Sequence, residues 1–141
     1  LPAVADPGAQ LVDLAHRHGI EVCPLVGPSS LMMALMGSGL NGQCFAFTGY
    51  LPVKPEERKA KIKLIEKVSA QLKQSQIIIE TPYRNGQLFA DLLAVCSPRT
   101  RICVAADITL PTQTIITKDV ACWRKAPLEI GKRPCVFVLL G

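Results

Sequence analysis

The stretch Val26-Gly27-Pro28-Ser29-Ser30-Leu31-Met32-Met33-Ala34-Leu35-Met36-Gly37-Ser38-Gly39-Leu40 decides the fold class. Its glycine and proline open a loop, Ser29 or Ser30 is the expected N-cap of a helix from Leu31 to Met36, and Gly37-Ser38-Gly39 ends that helix. Just upstream, Ile20 to Leu25 is predicted as a strand, with Pro24 near its end. A strand that exits through Gly-Pro into a helix is an α/β unit. The helix start offers free N–H groups to a polar or anionic ligand. The run Leu1-Pro2-Ala3-Val4-Ala5-Asp6-Pro7-Gly8 repeats the arrangement, entering a helix with Leu11, Val12, Leu14 and Ala15 on one face until Gly19 stops it. Two such loops side by side outline a small-molecule site. No strand precedes Leu1 to feed the first loop, and a parallel strand at Ile20 to Leu25 needs upstream neighbours. The chain is therefore read as the C-terminal part of a longer protein.

Downstream, Asn41-Gly42-Gln43 reads as a linker. It divides residues 1–40, the end of an N-terminal α/β domain, from residues 44–141, a C-terminal α/β domain. The second part is predicted to hold strands at Cys44 to Thr48, Gln76 to Glu80, Arg101 to Ala106, Thr112 to Thr117 and Pro134 to Leu140. Helices are expected around Lys54 to Lys73, around Leu88 to Val95, and briefly at Lys118 to Arg124. Five strands and three helices make a compact domain with a mixed sheet. The Ile77-Ile78-Ile79 run implies burial on both faces.

Composition narrows the class. The 141 residues are 49% hydrophobic, enough for a core. No stretch approaches the ~18 uninterrupted apolar residues of a membrane span. The six cysteines, Cys23, Cys44, Cys96, Cys103, Cys122 and Cys135, stand singly, and buried reduced thiols are expected. His16 and His18 sit together at a helix end, where they favour its C-terminal dipole, so no metal site is expected. The net charge of +5 is concentrated: Lys54, Arg58, Lys59, Lys61, Lys63, Lys67 and Lys73 face only Glu56, Glu57 and Glu66. With Ile62, Leu64, Ile65, Val68 and Leu72 at near-helical spacing, this segment reads as an amphipathic helix with a basic outer face. Such a face is solvated or contacts phosphates.

The loops at residues 1–8, 26–30 and 80–84 are all read as strand-to-helix connections, the crevice where open α/β sheets hold ligands. Gly8 and Gly27 allow close backbone approach, and Ser29, Ser30 and Thr81 supply hydroxyls. The titratable groups at these strand exits are Glu80, Tyr83, Arg84 and Asp107, the ones a catalytic site here would use to align a reactant or move a proton. Glu80 and Arg84 could equally form a local ion pair that anchors the loop, and Asp107 could cap the turn after it.

The series Pro2-x3-Asp6-Pro7-Gly8, Gly27-Pro28-Ser29-Ser30 before an Ala/Met-rich helix ending Ser38-Gly39-Leu40, and Phe47-x-Gly49-Tyr50-Leu51-Pro52 resembles the tetrapyrrole methylase superfamily of S-adenosylmethionine-dependent methyltransferases. Within it, the sequence is most similar to the branch of bacterial 16S ribosomal RNA ribose-2′-O-methyltransferases. The resemblance runs in order from residue 1 to residue 141. It implies two α/β domains with the methyl donor folded between them, about a third of the family's length lying upstream, a cytoplasmic enzyme, and a homodimer. It also implies donor contacts, mostly through backbone, at Leu1, Pro2, Ala5, Ser29, Ser30, Thr81 and Ala105.

Two departures fall on the acceptor side. Where the branch has Glu-Ser-x-His-Arg, this chain has Glu80-Thr81-Pro82-Tyr83-Arg84. Where it has Arg-Glu-Leu-Thr-Lys, this chain has Ala106-Asp107-Ile108-Thr109-Leu110 and loses two basic groups. Three functions are compatible: methylation of ribosomal RNA, methylation of a tetrapyrrole or other small metabolite, and RNA binding without chemistry.

Overall fold

The computed structural model describes all 141 residues. A five-stranded mixed sheet forms its centre: β1 (Phe45–Tyr50), β2 (Ser75–Ile79), β3 (Arg101–Ala106), β4 (Thr114–Asp119) and β5 (Cys135–Leu140). Across the sheet the order is β1-β2-β5-β3-β4; β1 and β2 are parallel and the other neighbours antiparallel. The helices are α1 (Ala9–Arg17), α2 (Ser30–Ser38), α3 (Pro55–Leu72), α4 (Asn85–Val95) and α5 (Val120–Lys125). The five strands and three later helices are those expected from the sequence, displaced by a residue or two at their ends.

Strand alternation sorts the core into two layers. Ile78, Ile102, Val104, Ala106, Phe137 and Leu139 face α3, α4 and α5, where Trp123 and Phe89 meet edge to face at 5.2 Å. Ile77, Cys103, Ala105, Val136 and Val138 point to the other side, against Leu31, Ala34, Leu35 and Leu40 of α2 and the residues after it. Residues 30–40 therefore share a core with the sheet, so the division expected at residues 40–43 is not a break in packing. The linker is pinned as well: the Ser75 hydroxyl donates to the Asn41 carbonyl at 2.8 Å, and Thr117 Oγ1 donates to the Ser38 carbonyl at 2.7 Å.

Several expectations change. Ile20 to Leu25 is not a strand: it has no ladder partner, and Ile20 and Leu25 are exposed. An extended segment becomes a strand only when a neighbour accepts its hydrogen bonds, and nothing in this chain lies alongside it. The loop at 26–30 accordingly follows irregular backbone, whereas that at 80–84 follows β2 as expected. On α3, Leu64 and Leu72 are exposed, and Arg58, assigned to the basic outer face, is buried. Of the cysteines, Cys96, Cys103 and Cys135 are buried, whereas Cys23 and Cys122 are exposed. Burial pushes the Cys135 thiol up to about 12 and raises that of Cys103, keeping both protonated and unreactive near neutral pH.

Helix ends behave as their residues dictate. Ser29 is the N-cap of α2, its hydroxyl accepting from the Met32 N–H, and Gly39 closes the helix in the left-handed region at φ 68°. His16 lies in the last turn of α1 and His18 caps it. No helix is long and apolar enough to cross a membrane.

Candidate active-site cleft

Two adjoining cavities, of about 510 and 310 Å³, open at the end of the sheet where β2 and β3 finish and β5 begins. Ser30, Ile79 and Ile108 line both, so the two cavities share a wall and together make up the cleft. Its size lies within the ~300–1,000 Å³ of small-molecule sites. The larger part is walled by Leu1, Val4, Ala5 and Asp6 on one side and by Pro28, Ser29 and Ser30 on the other. The smaller part is walled by Tyr50, Glu80, Ala105 and Asp107.

Local backbone explains how the walls approach. A Cβ added to Gly27 would stand 3.0 Å from Leu1 Cδ2, so the two loops approach closely there and a larger residue would make the Leu1 side chain give way. The first loop is closed by the Ala3 N–H donating to the Pro7 carbonyl at 3.2 Å. Ala3 and Ala5 are held at φ 63° and 54°, sparsely populated conformations for alanine that the fold must over-determine. The start of α2 leaves the Ser30 and Leu31 N–H groups without helical partners at the cleft wall. Opposite, β1 carries a bulge between Phe47 and Gly49, with Gly49 at φ 73°, and the bent strand delivers Tyr50 to the cleft.

A buried charge network backs the cleft. Arg58 donates from Nε to the Pro52 carbonyl at 3.0 Å, and its two terminal nitrogens pair with Glu80 at 3.1 Å and Asp91 at 3.2 Å. The other Glu80 oxygen accepts the Thr81 N–H at 2.7 Å and stands 3.2 Å from Arg84 Nε, near enough for an ion pair but not aligned for a hydrogen bond. Asp91 also accepts from the Gln87 amide at 3.1 Å. Arg58, Glu80 and Asp91 thus compensate one another largely away from water, Arg84 joins them from the partly exposed edge, and both Glu80 oxygens are engaged.

Asp107 differs. It is a left-handed residue, φ 51°, at the exit of β3; its N–H donates to the Pro134 carbonyl and its own carbonyl accepts from Leu110. One carboxylate oxygen accepts from the Thr112 hydroxyl at 2.8 Å and lies 3.9 Å from an Arg133 nitrogen. The other makes no hydrogen bond within the chain. Asp107 therefore both ties its turn and presents an open acceptor on the cleft wall.

Of the residues expected at a donor site, Leu1, Ala5, Ser29, Ser30 and Ala105 line the cleft, whereas Pro2 and Thr81 do not. Among the four groups named for chemistry, Glu80 and Asp107 line it; Tyr83 and Arg84 stand beside it, following Pro82. Tyr50, Asp6 and Ile108 also line the cleft, although sequence reasoning assigned them no role. Gly49, a glycine next to the predicted strand Cys44 to Thr48 and just before Tyr50, was the available sequence signal for the first of these. No cluster of His, Cys, Asp and Glu could hold a metal ion.

Two solved structures share this fold across 99% of the chain. They are the methyltransferase CobJ, with TM-score 0.62 and 18% identity, and uroporphyrin-III C-methyltransferase from Thermus thermophilus complexed with S-adenosylhomocysteine, with TM-score 0.53 and 19% identity; each is covered over 61% of its own length. Those two show the fold; the chain's membership of the tetrapyrrole methylase family is shown by its sequence relatives. Those relatives are named ribosomal RNA small subunit methyltransferase I. The protein of Neisseria meningitidis serogroup B is 38% identical over 120 residues, matching 84% of this chain and 39% of its own length. That of Vibrio cholerae serotype O1 is 36% identical over 114 residues, with 81% and 38% covered, and that of Pseudomonas aeruginosa is 29% identical, with 99% and 49% covered. The chain spans less than half the length of each of these relatives. No protein-family model matches it.

Proposed function

We propose that this chain supplies a wall of the donor cleft and the acceptor-side domain of a cytoplasmic, homodimeric methyltransferase that uses S-adenosylmethionine to methylate a ribose 2′-hydroxyl of small-subunit ribosomal RNA. The observation that carries the reading is the cleft itself: of the seven positions that the resemblance assigns to the donor, Leu1, Ala5, Ser29 and Ser30 line its larger cavity, and Ala105 lines the adjoining one together with Ser30. The residues fit such a donor in kind. Ala5, Ser29, Ser30 and Ala105 are small and leave room for it, and the α2 start offers N–H groups to its polar end. The relatives' names, and the exposed Lys54, Lys59, Lys63, Lys67 and Lys73 on and beside α3, favour an RNA acceptor.

When bound, the donor supplies a methyl group on a sulfonium, transferred by in-line displacement. The protein's task is alignment and removal of the acceptor hydroxyl's proton. Among the acidic groups lining the cleft beside the departed basic positions, Asp107 is the one with an unengaged oxygen and without a cationic partner within hydrogen-bond reach. Glu80 has none to spare and acts as a positioning residue. Asp107→Asn in the full-length protein is expected to lower kcat by about a hundredfold or more while leaving donor affinity unchanged. A kcat within about threefold of wild type would remove Asp107 from the proton path.

Ala106 and Leu110, standing where the RNA-methylating branch has Arg and Lys, favour the second reading, a tetrapyrrole or other small metabolite as acceptor. One experiment separates the two. Small ribosomal subunits from a strain lacking the gene are incubated with the full-length protein and radiolabelled S-adenosylmethionine. Label in one ribose of the RNA is expected. No label, with donor binding intact by calorimetry, would favour the small-molecule acceptor.

A further inference from the structure

The acceptor side of the cleft carries an aromatic residue held ready by buried charge. Tyr83 is 68% exposed. The Arg84 guanidinium lies over its ring at 4.8 Å from the centroid, and Arg84 also donates to the Tyr83 hydroxyl at 3.2 Å. Arg84 is in turn held 3.2 Å from Glu80, whose other oxygen is gripped by Arg58 at 3.1 Å. A surface tyrosine ordinarily samples its rotamers freely. Here one face of the ring is covered by a guanidinium anchored through two buried side chains, and the rest is left to solvent.

The segment around it has unmet polar demand. Thr81 Oγ1, Arg84 Nε and Asn85 Oδ1 are buried without hydrogen-bond partners, all within five residues, and Asn85 is fully buried. Arg84 Nε is compensated by Glu80 at 3.2 Å, and the other two atoms lie beneath the surface, so what the loop offers a ligand is the exposed Tyr83 ring. Pro82, immediately before Tyr83, lines the cleft.

We propose that the Tyr83–Arg84 pair is a stacking platform for an unpaired nucleobase next to the methylated nucleotide. This rests on the RNA reading above. A fixed ring with one open π-face suits a base flipped out of its stack, and a guanidinium on the other face lowers the entropy lost when the base docks. The role is binding, not proton transfer, and it uses the aromatic ring rather than the hydroxyl.

The test uses the full-length protein, donor, and small ribosomal subunits from a strain lacking the gene. Tyr83→Ala is expected to raise KM for the subunits about tenfold or more, with kcat and the donor Kd within about twofold of wild type. Tyr83→Phe is expected to retain the wild-type KM. An Ala variant with unchanged KM overturns the platform, and so does a Phe variant as impaired as Ala, which would assign the role to the hydroxyl. Wild-type protein that leaves the subunits unmethylated overturns the RNA reading itself, and the platform with it.

Discussion

Replacing Arg58 by Met is expected to destabilise the protein by about 3–5 kcal/mol, because it strands two buried carboxylates at once. The Arg58 side chain is 3% exposed, and those of Glu80 and Asp91 are 1% and 12% exposed. Removing one partner of a buried ion pair forfeits its attraction and leaves the desolvation cost of the other. Urea denaturation followed by far-ultraviolet circular dichroism would measure the loss. Arg58→Lys should recover only part of it, since one ammonium cannot reach the Pro52 carbonyl and both carboxylates in the planar geometry that Arg58 uses. The triple change Arg58→Met, Glu80→Gln, Asp91→Asn should be more stable than Arg58→Met alone, because the abandoned charges are gone. A loss below about 1 kcal/mol for Arg58→Met would mean that water reaches the network and that the pairs behave like exposed ones.

Arg58 also spans three segments distant in the chain: the loop after β1, the exit of β2 and the middle of α4. Its loss should therefore loosen Glu80 and Arg84 before the sheet unfolds. Under the proposed function, impaired RNA methylation by the full-length protein at temperatures well below the unfolding midpoint is the expected companion result.

Trp123→Ala is the second large effect, again about 3–5 kcal/mol. Trp123 is 1% exposed, meets Phe89 edge to face, receives the Lys118 ammonium over its ring at 4.9 Å and donates to the Ile102 carbonyl at 2.8 Å. Alanine would leave a cavity between α5 and β3. Trp123→Phe keeps most of the volume and loses the indole N–H, so it should cost about 1–3 kcal/mol, the penalty for an unsatisfied buried group. Thermal unfolding of the three proteins gives the ranking. Because Trp123 packs on the sheet face opposite α2, donor affinity measured well below the midpoint should not change in either variant. A large change in donor affinity would show that the two faces of the sheet are mechanically coupled.

The two large effects differ in how far the sequence announced them. Trp123 lies inside the short helix expected at Lys118 to Arg124, beside Val120, Ala121 and Cys122, so its element was legible although its burial was not read from the sequence. Arg58 sits among Lys54, Lys59, Lys61 and Lys63, and by composition it belongs with them. Helical periodicity could not separate it, because its partners lie 22 and 33 residues away, in a strand exit and another helix. Glu80 was read together with Arg84 as an alternative local pair, and that pair is present. The second cation on Glu80 came from across the fold. Ile20 to Leu25 failed for the complementary reason: its residues suit a strand, but a strand is a relation between two segments, and this one has no partner in the chain.

What the sequence determined by itself is local or periodic. The apolar runs at Ile77 to Ile79, Ile102 to Ala106 and Val136 to Leu140 read as buried strands, and the Gly-Pro-Ser-Ser turn reads as the opening of a helix. Those signals, with the spacing of the loops, sufficed to expect a small-molecule cleft; that its ligand is a methyl donor was implied only by the resemblance to the tetrapyrrole methylase superfamily. The tertiary structure alone decided which charges are spent on one another and which remain open: Arg58 turned inward, Glu80 saturated, Asp107 left with a free oxygen, and Tyr83 braced at the rim. A side chain's charge is written in the sequence, whereas its availability depends on partners that folding brings from tens of residues away.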